Sequence, residues 1–169
     1  MAKNKGKVFE QKFKENFEEM SPEARAIRIY DTQGKRKGVC NICDFVCYNF
    51  PVIFLIECKS HKGNSFPIMS RDKKTEMMKP FRQYNKLLEF KDIKGMVVGV
   101  VLWLYEKDLV AFISIEELEK MIKDDKRSIS SQDIINKTYN IIDIPSFRLR
   151  SNSVCLNSDY SVLMKEAHL

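Results

Sequence analysis

The chain has 169 residues, 44% hydrophobic and 31% charged, which suits one soluble domain with a single core and excludes a disordered or low-complexity chain. Its net charge of +6 and pI near 9.0 suggest an anionic partner, with nucleic acid the first candidate. The longest nearly uncharged stretch, 39–58, contains Asp44, Glu57, Asn41, Asn49 and Pro51, so it is no membrane span, and the lysine-rich N-terminus lacks the apolar stretch of a signal peptide.

In chain order, Phe9, Phe13 and Phe17 recur every fourth residue, with Met20 following, and predict a helix over 7–20 that Ser21-Pro22 stops. Ala26–Tyr30 reads as a short strand. Asp31–Gly38 reads as a turn-rich basic loop carrying Lys35, Arg36 and Lys37. Val39–Tyr48 and Ile53–Lys59 read as two strands joined by residues 49–52. Helical spacing of Phe81, Tyr84, Leu87 and Leu88 predicts a helix from Pro80 to about Lys91. Met96–Leu104 is apolar on both faces, as in a central strand, and Val110–Ile113 is another strand. Ser114-Ile-Glu-Glu117 opens a helix through Ile122, and Ser130-Ser-Gln-Asp133 caps a short last one. Residues 146–169 form a weakly patterned tail. This order predicts an α/β domain, a mixed central sheet flanked by helices, spanning 1–169.

Charge is unevenly spread. Residues 1–40 carry ten basic against six acidic side chains and residues 59–94 ten against four, while 41–58 hold only Asp44 and Glu57. Closing the hairpin through 49–52 pairs Tyr48 with Ile53 and sets Asp44 opposite Glu57. Lys59, two residues on, shares the face of Glu57. Adjacent carboxylates among Phe45, Val46, Phe54, Leu55 and Ile56 need a partner or a cation. Oxygen ligands suit Mg²⁺, with Mn²⁺ able to substitute, and such an ion activates water and offsets phosphate charge. Lys59 is then positioned to handle the water or the phosphate. The alternative is a turn aspartate beside a solvated Glu57–Lys59 pair worth about 0–1 kcal/mol.

Asp44, then Glu57-Cys-Lys59 thirteen residues later, resembles the active-site motif of the PD-(D/E)xK, or restriction-endonuclease-like, nucleases. More narrowly, the chain resembles the RecU family of Holliday junction resolvases. Gly6-Lys-Val-Phe-Glu10 is similar to that family's N-terminal helix motif and Ser65-Phe66-Pro67 to the segment after its catalytic strand. Phe112–Leu118 and Lys126–Ile129 resemble its C-terminal portion. The resemblance departs at Cys43, where the family usually has a hydroxyl residue, and in about eight extra residues between Pro67 and Gln83.

The resemblance implies a restriction-endonuclease-like core that cuts four-way DNA junctions as a homodimer, using Mg²⁺. It assigns Glu10, Asp44 and Glu57 to the metal, Lys59 to the water or phosphate, and Gln83 to an auxiliary catalytic role. The rival readings are another nuclease of the superfamily, of restriction or repair type, and a non-catalytic basic DNA-binding module. Lys35, Arg36, Lys37, Lys62, Arg71, Lys73, Lys74, Lys79 and Arg82 are candidate phosphate contacts. No membrane or small-molecule cofactor is expected, and the expected location is cytoplasmic. Cys40-x-x-Cys43 has zinc-like spacing without a second pair, so Cys40, Cys43, Cys47 and Cys58 read first as core thiols, with Cys43 and Cys58 on the face away from Asp44. The only histidines are His61 and His168, which argues against a Ser-His-Asp triad or a histidine metal site.

Overall fold

A computed structural model of the protein describes residues 4–30, 41–148 and 156–166. Phe9, Phe13 and Phe17 line one side of α1 (Lys5–Glu18), whose N-terminus is capped where the Asn4 side chain accepts from the Gly6 N–H at 3.1 Å. The helix ends two residues earlier than its apolar stripe predicts. The Ser21 hydroxyl there accepts from the Ala24 N–H and donates to Asn49. β1 (Arg25–Arg28) follows and pairs antiparallel with β2 (Phe45–Asn49), which pairs antiparallel with β3 (Val52–His61). The β2–β3 register is the predicted one: Tyr48 faces Ile53 and Phe45 faces Ile56. The ladder closes as far as Asn49–Val52, so only Phe50 and the cis Pro51 are left in the turn.

Three short strands come next: β4 (Ser65–Pro67), β5 (Met69–Arg71) and β6 (Met78–Pro80). β5 and β6 form a hairpin of their own, in the stretch that the resemblance marks as extra. Its last ladder step runs into Phe81, whose N–H donates to the Ile68 carbonyl. That backbone cannot also be helical, so α2 (Tyr84–Leu88) is shorter than the predicted 80–91.

β7 (Met96–Leu104) pairs parallel to β3 and antiparallel to β8 (Leu109–Ser114). Gly99 permits the close pairing of β7 and β8, since a Cβ there would lie 2.4 Å from the Ile113 carbonyl oxygen. α3 (Ile115–Lys123) is capped by the Ser114 hydroxyl. β9 (Ser128–Ser130) pairs with β4, and the full Ser130/Asp133 capping box opens α4 (Ser131–Ile135). β10 (Ile142–Asp143) completes the main sheet, and β11 (Ser146–Phe147) pairs with β12 (Asn157–Ser158). The six-stranded order is β1-β2-β3-β7-β8-β10, a mixed sheet with β7 near its middle.

Two cores sandwich this sheet. α1 lays its phenylalanines on Phe45, Phe54, Ile56, Trp103 and Phe112, joined by Tyr160 and Leu163 from the tail. On the other face Leu87, Leu118, Met121 and Ile134, from α2, α3 and α4, cover Leu55, Val98, Val100 and Leu102. Cys43 and Cys58 fall in different cores, which corrects the expectation that they share a face. The strand predicted over 39–48 starts only at Phe45 within the described residues, so strand alternation does not reach back to Cys43. The Cys43 thiol instead lies 3.1 Å from the Phe45 carbonyl oxygen.

Candidate active site

Asp44 stands one residue ahead of β2, where its own carbonyl accepts from the Ile29 N–H at 2.8 Å. Its carboxylate crosses to β3 and accepts from the Cys58 N–H at 2.9 Å. That bond continues the hairpin past its last ladder pair and holds the side chain next to Glu57. Glu57 is 1% exposed, and its Oε1 accepts from Lys59 Nζ at 2.6 Å. Its Oε2 is buried with no N–H or hydroxyl donor in reach, and the Glu57 and Asp44 carboxyls come close enough to share a proton. A buried carboxylate oxygen without a donor is costly unless a proton or a cation joins it.

The proton affinities reflect this crowding. Burial pushes the Glu57 carboxyl up to about 7; Lys59 opposes the rise and Asp44 adds to it. Burial also raises Asp44, against the Cys58 N–H, Lys59 and Arg28. Glu10, on the rim of α1, is raised by burial despite Arg28, and the charge of Asp44 contributes to the rise. Glu10 thus shares the electrostatic neighbourhood of Asp44. It is hydrogen-bonded to Arg28 of β1.

Arg28 is a residue that sequence reading missed. The only signal for it is a cation closing the short strand Arg25-Ala-Ile-Arg28, which resembles any solvated strand end. Phe81 is a second one: Lys59 Nζ lies over its ring, 5.6 Å from the centroid. Gln83 sits at the N-cap of α2, two residues beyond Phe81, with its side-chain oxygen buried and unpartnered. No hydrogen bond joins Gln83 to Asp44, Glu57 or Lys59.

Among the described residues no three carboxylate, cysteine or histidine groups are gathered closely enough to hold a metal outright. The donors nevertheless fit a hard divalent cation. Asp44 and Glu57 bring two carboxylates close together, oxygen-only donors of the kind such a cation takes, and Oε2 of Glu57 has no N–H or hydroxyl donor. The cysteines do not fit zinc as well. Cys43, Cys47 and Cys58 are buried free thiols, and burial and the nearby acidic groups raise all three, Cys43 to about 12. Cys40 lies outside the described residues.

The candidate DNA contacts separate spatially. Lys62 is exposed and pairs with Glu106 at 3.8 Å. Arg71, Lys73, Lys74 and Lys79 all lie on the β5–β6 hairpin, and Arg82 is exposed between that hairpin and α2. Lys35, Arg36 and Lys37 lie outside the described residues.

The fold is that of a solved structure described as "Archaeoglobus fulgidus Hjc, a Holliday junction resolvase from an archaeal hyperthermophile". The two match with a TM-score of 0.50 and 19% identity, over 75% of this chain and 89% of that one. This is a restriction-endonuclease-like mixed sheet flanked by helices. The likeness is to an archaeal resolvase and does not single out the RecU branch. No family model matches the chain, and no curated protein does.

Proposed function

We propose that the protein is a metal-dependent endodeoxyribonuclease that resolves four-way DNA junctions by paired symmetric cuts. The observation that carries this is the trio Asp44, Glu57 and Lys59 on one face of the β2–β3 hairpin, with one Glu57 oxygen buried and without an N–H or hydroxyl donor. The fold likeness to a protein described as a junction resolvase supports the choice of substrate. In this reading residues 1–169 are a single nuclease domain of the RecU type, acting inside the cell where DNA is.

Asp44 and Glu57, with Glu10 beside them, hold Mg²⁺ or Mn²⁺. A bound divalent ion supplies an acidified water and charge neutralisation at the phosphate. The protein's own groups set the rest. Lys59, held by Glu57 and flanked by Phe81, presents an ammonium that orients the attacking water or stabilises the oxygens of the phosphate. Arg28 holds Glu10 and offsets part of the charge that Asp44 and Glu10 share. Gln83, with its unpartnered oxygen, takes the auxiliary position. Water adds to phosphorus and one P–O ester bond breaks, with a proton lost from the water and another reaching the leaving oxygen.

Resolution takes two cuts and each chain supplies one site, so the working species is a homodimer. Lys62, Arg71, Lys73, Lys74, Arg82 and the Lys35-Arg36-Lys37 loop contact phosphates. The deciding experiment incubates the protein with a four-way junction and with linear duplex of the same sequence, with Mg²⁺ and with EDTA. Symmetric, Mg²⁺-dependent cleavage of the junction alone is expected. Equal cutting of both substrates would favour a restriction or repair nuclease, and binding without cutting would make this a DNA-binding module.

A further inference from the structure

We propose that the Met69–Pro80 hairpin is a branch-point reader, which seats the Met77 side chain against unstacked bases while Lys73 and Lys74 hold the flanking phosphates. The inference rests on the junction-nuclease reading above and deepens it, by naming the element that tells a junction from a duplex.

The hairpin is a built structure. At its tip, Asp72 accepts from the Lys74 and Thr75 N–H groups at 2.9 Å each, and its side chain also accepts from Lys79 Nζ at 3.1 Å. The Asp72 N–H donates to the Met77 carbonyl at 2.9 Å, and the Glu76 N–H donates to the Asp72 carbonyl at 2.8 Å. These bonds hold the Asp72 carboxyl well below the usual carboxylate range. Arg71 pairs with Glu76 across the tip.

The arm is rooted beside the catalytic lysine. The Ile68 and Met69 N–H groups both donate to the Arg127 carbonyl, and Phe81 N–H donates to Ile68. Phe81, the residue next to the last strand position, is the ring that Lys59 overlies. Three paired residues in each leg carry the tip roughly 10 Å beyond that root. A DNA strand with its phosphate at Lys59 therefore passes within reach of the tip.

The tip has the chemistry of a nucleic-acid wedge. Met77 is 65% exposed and Met78 37%, beside Lys73 and Lys74, neither of which makes an ion pair among the described residues. A single exposed apolar side chain is ordinary. Met77, however, stands at the end of a braced, lysine-bearing arm, which matches the way apolar residues enter base steps while cations hold the backbone. Opening a continuous duplex costs a few kcal/mol per step, and at a four-way branch point the stacking is already interrupted. The same wedge therefore favours the junction.

The test uses the full chain and a junction with 2-aminopurine at the branch point, in Ca²⁺, with linear duplex as the reference. Wild type is expected to raise the fluorescence on binding. Met77→Leu keeps the rise, and Met77→Ser loses most of it, with the junction-over-duplex affinity ratio falling about tenfold. The same signal and ratio in wild type and Met77→Ser overturns the wedge and leaves the nuclease reading standing. Absence of junction preference in wild type overturns both, so the two failures are distinguishable. Replacing Asp72–Met77 with Asn-Gly, a favoured two-residue hairpin turn, should abolish the signal as well. Should that variant fail to melt cooperatively, the exposed Met77 point variants still decide.

Discussion

The two faces of β3 differ in what they carry. Phe54, Ile56 and Cys58 point to the face under α1, into the core built on the phenylalanines of that helix. Leu55, Glu57 and Lys59 point to the other face, which begins apolar and turns charged within four residues. One strand therefore serves two ends: one side contributes buried area and the other holds a carboxylate at a cost in stability. A carboxylate buried in this way costs stability unless a proton or a cation joins it. The comparison predicts that substitutions on the two faces will separate chemistry from stability.

Asp44→Asn should have the largest effect. It keeps size and polarity but removes charge from the candidate metal site, so single-turnover cleavage should fall by about three orders of magnitude or more. Junction affinity in EDTA, by gel shift, should persist or tighten, with little change in melting temperature. Near-wild-type cleavage by a folded Asp44→Asn protein would remove this site. Phe13→Ala tests the opposite face. Phe13 is fully buried between Phe17, Phe45 and Tyr160, so chemical denaturation should show a loss of about 3–5 kcal/mol. Cleavage per folded molecule should be spared.

Glu57→Gln sharpens the comparison through pH. The folded-state carboxyl is raised to about 7 from an ordinary value near 4.5, so the folded protein binds this proton more tightly than the unfolded one. Its contribution to stability is fully present below about 4.5 and is lost as pH rises through about 7. Glutamine mimics the protonated form, so without metal the variant should gain on wild type between pH 5 and pH 8, by about 1–3 kcal/mol. Melting curves in EDTA at the two pH values measure it; a constant difference would mean that Glu57 titrates normally. In wild type, Mg²⁺ affinity should rise over the same interval, since the ion competes with that proton.

The smallest effect concerns the surface. Neutralising Lys35, Arg36 and Lys37 together should weaken junction binding several-fold at moderate salt, flatten its salt dependence by up to about three in slope, and leave the melting curve unchanged. An unchanged salt slope would take these three residues off the DNA.

What could be read in the chain depended on the range over which its signals act. The β2–β3 register was legible because strand alternation and a short connection are local, and the ladder they predict runs from Asn49–Val52 to Phe45–Ile56, one step short of Asp44 and Glu57. The apolar run 96–104 likewise marked a central strand. The face of Cys43 was misjudged because alternation was carried through residues that precede the strand. The β5–β6 hairpin was missed because its exposed Arg-Asp-Lys-Lys sequence has no apolar period.

The sequence by itself thus determined the carboxylate–lysine trio and the mixed sheet that displays it, since both follow from short-range periodicity and turn closure. Only the tertiary structure decided that Arg28 meets Glu10 across eighteen residues, that Phe81 flanks Lys59, and that one Glu57 oxygen is buried with no N–H or hydroxyl donor. Those facts depend on how α1, β1 and the hairpin root pack around the end of β3. Packing between elements distant in sequence leaves no periodic trace in any one of them.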